Sequence, residues 1–198
     1  MVPITPATLE EVLALDAPQI DRDTAIRRLQ RGDTGVAARV GDRIVSSVWI
    51  GARSWQLRDL GLAIHMEADQ GLLYDAYTAP DMRRHGIMAL LVRACVEQAK
   101  AHGHRWLFAR AVASNANTMS TLGRAGFKLI LRIHGLMLAN AVGFYRVEGD
   151  GEVLPAAETL LSHIASLRPG LMVWSSGGGR GFRVLVPRVI PNRSRRSA

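Results

Sequence analysis

Between Gly71 and Ala101 the chain leaves few structural choices open. The segment reads GLLYDAYTAP, then DMRRHGIM, then ALLVRACVEQAKA. Its first third is apolar and aromatic enough for a strand, and Pro80, which cannot donate to a ladder, ends it. Its last third carries Ile87, Leu90, Leu91, Ala94 and Cys95 at i, i+3, i+4, i+7 and i+8, the spacing of one helical face. A turn holding Arg83, Arg84, His85 and Gly86 joins the two. A strand that passes through such a turn into a helix start gathers unpaired backbone N–H groups, and the helix dipole adds positive charge. That is an anion site, and phosphate is its usual guest.

Two common phosphate motifs do not account for it. The P-loop pattern is absent from the chain, and the dinucleotide pattern GxGxxG is absent from this turn. What remains is Thr78-x-Pro80, then Arg83-x-x-Gly86-x-Met88. This resembles the acyl-CoA pyrophosphate loop of the GNAT N-acetyltransferase superfamily: Gln or Arg, two spacers, Gly, one spacer, then Gly or Ala. A second match follows in SNANTMSTLGRAGFK, where Asn115 precedes Gly126-Phe127. The resemblance covers about residues 5 to 147. It implies an α/β chain with the acyl-CoA N-acyltransferase (GNAT) fold: a mixed, mostly antiparallel sheet of about six or seven strands flanked by helices. It implies acetyl-CoA as acyl donor, lying in a splay between the motif strand and the next strand. By the same resemblance, Ala76, Tyr77 and Thr78 would pair with the pantetheine. Arg83, Arg84, His85, Gly86, Ile87 and Met88 would hold the pyrophosphate, and Asn115 would bond the pantetheine arm, cap its helix, or do both. The reaction implied is direct attack of a primary amine on the thioester, in a cleft flanked by the first two helices. Two positions depart from the family pattern. Met88 replaces a small residue, which weakens the phosphate match without removing it, since a larger side chain could point outward while its N–H serves the phosphate. Leu122 stands where many members carry a Tyr that protonates the leaving thiolate.

An attacking amine must be neutral, whereas a Lys-type amine with a pKa of about 10.4 is mostly protonated near pH 7. Asp75 is the candidate base. Strand alternation puts Asp75 and Tyr77 on one face and Tyr74 and Ala76 on the other, unless a bulge intervenes. The other reading pairs Asp75 with an Arg such as Arg110, to orient the substrate or stabilise the sheet. Tyr74 and Arg110 are the candidate acceptor-side residues, and Tyr145 is a further candidate phenol for the cleft, although aromatic residues on strands more often serve packing. Glu67 and Asp69 fall in the loop before the motif strand. Of the six His, only His102 and His104 are close in sequence, with no Cys or carboxylate completing a ligand set, so no metal is expected. The expected core is Ile87, Leu90, Leu91, Cys95, Leu107, Ala109 and Phe127.

The formal net charge is +8, but six Arg lie from Arg180 onward with no acid among them, so the rest of the chain is nearly neutral. Such a tail can contact nucleic acid through phosphates, although a solvated terminus is the favoured reading. One Cys permits no internal disulfide and fits a reducing cytoplasm. No run approaches the roughly 18 apolar residues of a membrane span, and no secretory signal opens the chain. Thr8-x-x-Glu11 reads as a capping box opening a first helix. A second helix runs from about Asp23 to Arg31, closed by Gly32. Strands are expected over Gly35–Val40, Ile44–Ile50, Gln56–His65, Trp106–Val112, Lys128–Met137 and Val142–Val147, with a helix over Asn115–Ala125. The expected organisation is an acetyltransferase domain over 1–148, a helix–hairpin extension over 149–186 and a basic, disordered tail over 187–198. In the extension, Leu154–Leu167 reads as a helix, and Leu171–Trp174 and Phe182–Val186 as a hairpin. The competing functional readings are a catalytically silent acyl-CoA-binding or regulatory module, and a nucleic-acid-associated protein acting through its tail.

Overall fold

Apolar runs set the strands of this chain, and Gly, Asp and Pro set most of their ends. A computed structural model describes residues 1–18, 20–51, 53–57, 60–138, 142–149, 164–166, 170–176 and 182–185. The strands are β1 (Val2–Pro3), β2 (Thr34–Val40), β3 (Arg43–Gly51), β4 (Ser54–Leu57), β5 (Leu62–His65) and β6 (Gln70–Thr78). They continue with β7 (Trp106–Ala109), β8 (Leu131–Leu138), β9 (Val142–Gly149), β10 (Ile164–Ser166), β11 (Gly170–Ser176) and β12 (Phe182–Leu185). The helices are α1 (Leu9–Leu13), α2 (Arg22–Arg31), α3 (Ile87–Ala101) and α4 (Ala116–Arg124). The chain divides into two compact units, Met1–Arg53 with Met66–Lys128, and Ser54–His65 with Leu129–Ala198.

The first unit is built on a five-stranded sheet in the order β1-β2-β3-β6-β7. Its pairings are antiparallel except β6 with β7, which is parallel. The parallel pair needs a crossover, and α3 supplies it. Helix α3 packs on β2, β3 and β6. There Leu91, Val92 and Cys95 meet Val36, Ala38, Val45, Val48, Ile50 and Leu73, with Ile87, Leu107, Ala109 and Phe127 at the margin. Leu90, expected in this core, is 53% exposed. The run IMALLV is apolar on every side, so its period identifies a helix without fixing its rotation; the buried line is Leu91, Val92, Cys95 and Ala99.

The helix ends follow local chemistry. Asp21 caps α2 by accepting from Thr24 N at 2.7 Å, and Gly32, at φ 91°, closes it. At α1 the expected capping box does not form. The Thr8 hydroxyl donates to Pro3 O at 2.9 Å and accepts from Thr5 N, while Glu11 pairs with Arg39. These bonds fix the entry turn and leave α1 at five residues.

In the second unit, β8 and β9 pair antiparallel, as the sequence indicates, and belong to a four-stranded sheet in the order β12-β11-β9-β8. The hairpin of β11 with β12 also matches its sequence pattern. Gln56–His65, read as one strand, is the hairpin of β4 and β5, and Gly61 at φ 61° lies in the reversal. The Leu154–Leu167 helix is corrected at its end, where β10 pairs antiparallel with β5. A three-residue apolar run does not separate strand from helix by period alone. The rest of that segment lies outside the described residues, as do 187–198. The strand expected over Trp106–Val112 ends at Ala109.

Candidate functional site

The site begins where two strands part. Strand β6 pairs with β7 only from Gln70 opposite Trp106 to Leu73 opposite Ala109. Beyond that, Tyr74–Thr78 stays on β3 and, among the described residues, has no strand on its other edge. The gap is a cleft of about 1070 Å³. Its walls are Tyr74–Thr78, the turn around Met82–Gly86, the start of α3, Ala109 and Arg110 after the splay, and one face of α4 with Asn115 at its head.

The turn between β6 and α3 has a fixed backbone shape that leaves a run of N–H groups open. Pro80–Met82 form one turn of 3-10 helix, tethered to β3 by the Arg43–Asp81 ion pair at 2.6 Å. Arg84 (φ 67°) and Gly86 (φ 75°) are both left-handed and flank His85. Gly86 is the N-cap of α3, and a Cβ there would touch nothing within 4 Å. Backbone conformation, and not crowding, therefore calls for glycine. Among the described residues, the N–H groups of Arg84 through Met88 reach no backbone acceptor. They lie at the N-terminal, positive end of a fifteen-residue helix. Arg83 folds back on the strand: its Nε donates to Thr78 O at 3.2 Å and its guanidinium lies 5.9 Å from the Tyr77 ring centre. Arg83, Arg84, Arg93, Arg110 and Arg124 all line the cleft, with Asp75 the acid among its walls. His85 is exposed and does not line it.

The departures from the family pattern take definite places. Met88 is half-buried: it packs against the core cluster beneath α3 and also lines the cleft. Its N–H remains in the open set. Leu122 packs on the same cluster while lining the cleft, so no phenol stands at that point. Asn115 caps α4, its Oδ1 accepting from Thr118 N at 3.1 Å.

The strand itself carries a bulge. Trp49 is opposite Tyr74 and Ser47 is opposite Tyr77, so Asp75 and Ala76 together face Val48. Simple alternation of Asp75 and Tyr77 against Tyr74 and Ala76 therefore fails. Asp75 takes a left-handed φ of 46°, and its carboxylate accepts from the Arg28 guanidinium of α2. Tyr74 is buried, and its hydroxyl donates to Asp33 Oδ2 at 2.6 Å. Burial first, and the bond to Asp33 second, push that phenol far above its ordinary range. It is a fixed donor and not a proton source near neutrality. Arg31 Nε reaches both Asp33 oxygens at 3.2 Å. Arg28 is the residue sequence reading missed. Its signal was present: it lies three residues after Ala25 and before Leu29, on the buried face of α2. Ser46 completes the strand edge, donating to Tyr77 O at 2.7 Å and lying 2.8 Å from the Thr78 hydroxyl. Glu67 and Asp69 do not line the cleft. Tyr145 lies on β9, in the second unit. Among the described residues no three His, Cys, Asp or Glu side chains cluster as a metal site, and no helix is long and apolar enough to cross a membrane.

A parallel strand pair that opens beside a glycine-containing strand-to-helix turn is the arrangement of the acyl-CoA N-acyltransferase fold. The chain belongs to the acetyltransferase (GNAT) family, whose sequence pattern matches residues 7–127. No curated protein matches it. Among solved structures, an aminoglycoside N-acetyltransferase in complex with CoA is similar at a TM-score of 0.52 and 14% identity, over 65% of this chain and 90% of that one. A ribosomal-protein-alanine N-acetyltransferase from Brucella melitensis is similar at 0.50 and 18% identity, over 68% and 86% of the two chains. An N-acetyltransferase from Staphylococcus aureus Mu50 is similar at 0.50 and 16% identity, over 67% and 88%. At these identities the likeness is one of fold.

Proposed function

We propose that the protein transfers an acetyl group from acetyl-CoA to a primary amine by direct attack. The observation that carries this reading is the unpaired edge of β6 beside the open N–H groups of Arg84 to Met88. An extended pantetheine can take the place of a strand along Ala76–Thr78, and the pyrophosphate can sit at the N-terminus of α3. The CoA complex of the structurally similar aminoglycoside enzyme supports the same donor. An N–H of the Ala76–Thr78 segment facing the thioester oxygen would stabilise the tetrahedral oxyanion. Arg83, Arg84 and Arg110 supply positive charge along the donor's path.

Of the two roles open to Asp75, the ion pair with Arg28 supports the orienting one. The acceptor amine then releases its proton to water in the cleft. With Leu122 in place of a phenol, the departing thiolate is protonated from the same water.

The test is thiol release from acetyl-CoA across a panel of small amines, peptides with free N-termini and lysine peptides. Amine-dependent release, with the acetylated product found by mass spectrometry, is the expected result. Tight acetyl-CoA binding without release for any amine would overturn it in favour of a silent acyl-CoA-binding module.

A further inference from the structure

Bulges re-aim a strand, and a non-glycine residue in the left-handed region needs its surroundings to hold it there. Asp75 is both the bulge residue and a left-handed one. Arg28 is 7% exposed, although guanidinium groups are rarely buried unless paired. Its guanidinium donates to the Asp75 carboxylate. Its central carbon lies 5.2 Å from the Trp49 ring centre and 4.8 Å from that of Tyr74. Trp49 and Tyr74 are the paired residues immediately before the register slips. One side chain from α2 thus grips the bulge residue and both strands beside it, through a charge pair and two cation–π faces. Strand β6 parts from β7 after Leu73, just before the bulge, and the bulged stretch Tyr74–Thr78 forms a wall of the cleft.

We propose that Arg28 is a positioning residue for acetyl transfer: it locks the Asp75 bulge, and so sets the direction in which the Ala76–Thr78 backbone meets the thioester. This rests on the acetyltransferase reading above. It also closes the cage of Trp49, Tyr74 and Asp75 to an acceptor's ammonium group, because a guanidinium of the protein already fills it.

The experiment compares wild type with Arg28→Lys, which keeps the charge, and Arg28→Met, which keeps the stem and loses the charge. Hydrogen exchange is followed by mass spectrometry, and the acetyl-CoA thermal shift is measured alongside. In Arg28→Met, exchange in peptides spanning Tyr74–Thr78 should speed up at least about tenfold, with peptides from the N-terminal half of α3 unchanged. Arg28→Lys should retain most of the protection. With an amine that the wild type acetylates, Arg28→Met should lower kcat at least about tenfold with little change in KM for acetyl-CoA. Unchanged exchange over Tyr74–Thr78 in Arg28→Met overturns the inference. So does a uniform increase over the whole first unit, which would make Arg28 a general stabiliser. The exchange arms need no turnover, so they decide the role of Arg28 separately. Absence of an acetyl-CoA thermal shift in the wild type counts against the acetyltransferase reading instead.

Discussion

Asp75 combines a left-handed backbone with a guanidinium partner, and both bear on what its replacement does. Asn tolerates that backbone region and still offers Arg28 an acceptor oxygen. Asp75→Asn should therefore lower kcat by no more than about tenfold and leave the pH profile of kcat/KM in place. Loss of a true general base typically costs about 10²- to 10⁴-fold. A loss of that size, with the rise toward alkaline pH flattened, would make Asp75 the base after all. Residues were unevenly legible here. Gly86 and Arg83 announce themselves by spacing, because the loop needs a left-handed residue and a positive charge at fixed places. Arg28 does not, since its importance comes from Trp49, Tyr74 and Asp75, which lie 21, 46 and 47 positions away in the chain. Nothing local encodes that meeting beyond a charged residue on an otherwise apolar helix face.

The helix α3 was legible as an element and illegible in its rotation. Turn chemistry fixes its start at Gly86, while a run that is apolar on all sides leaves open which line is buried. The buried line includes Cys95, whose thiol is pushed by burial up to about 12. At about pH 8 almost none of it is thiolate, so the folded protein should resist iodoacetamide and react only on unfolding. The accompanying stability has a definite sign. In the unfolded chain this thiol ionises near its ordinary value, below the folded one. The contribution of Cys95 is therefore complete below about pH 8.5 and declines as pH rises above it. Equal alkylation rates for native and urea-unfolded protein at pH 8 would contradict this placement. The splay between β6 and β7 was legible only through the family resemblance. The sequence pattern carries the second strand on to Val112, whereas β6 has nine residues and β7 four, ending at Ala109 before the gap. The bulge was foreseen only as an exception to strand alternation. Its position needed the β3 register.

At the scale of the molecule, the sequence was most informative where loops and helices follow local rules, over residues 1–128. It was less so beyond, where the β10 segment reads as helix until its pairing with β5 is seen. Residues 187–198 carry four Arg and no apolar periodicity. Deleting them should leave the melting transition cooperative and acetyl-CoA binding intact, as checked by calorimetry. Loss of cooperativity would mean that Val189 and Ile190 dock on the folded chain. The most direct test of the acyl-CoA site is an acetyl-CoA titration of wild type and Gly86→Glu, followed by melting temperature. A ligand that binds the native state alone, at about 100 times its Kd, should raise the wild-type melting temperature by about 5–10 °C. In Gly86→Glu a side chain and a negative charge stand at the N-terminus of α3, and the shift should vanish while the variant remains folded. An equal shift in the two proteins would contradict the site, and no shift in either would contradict acetyl-CoA as the ligand.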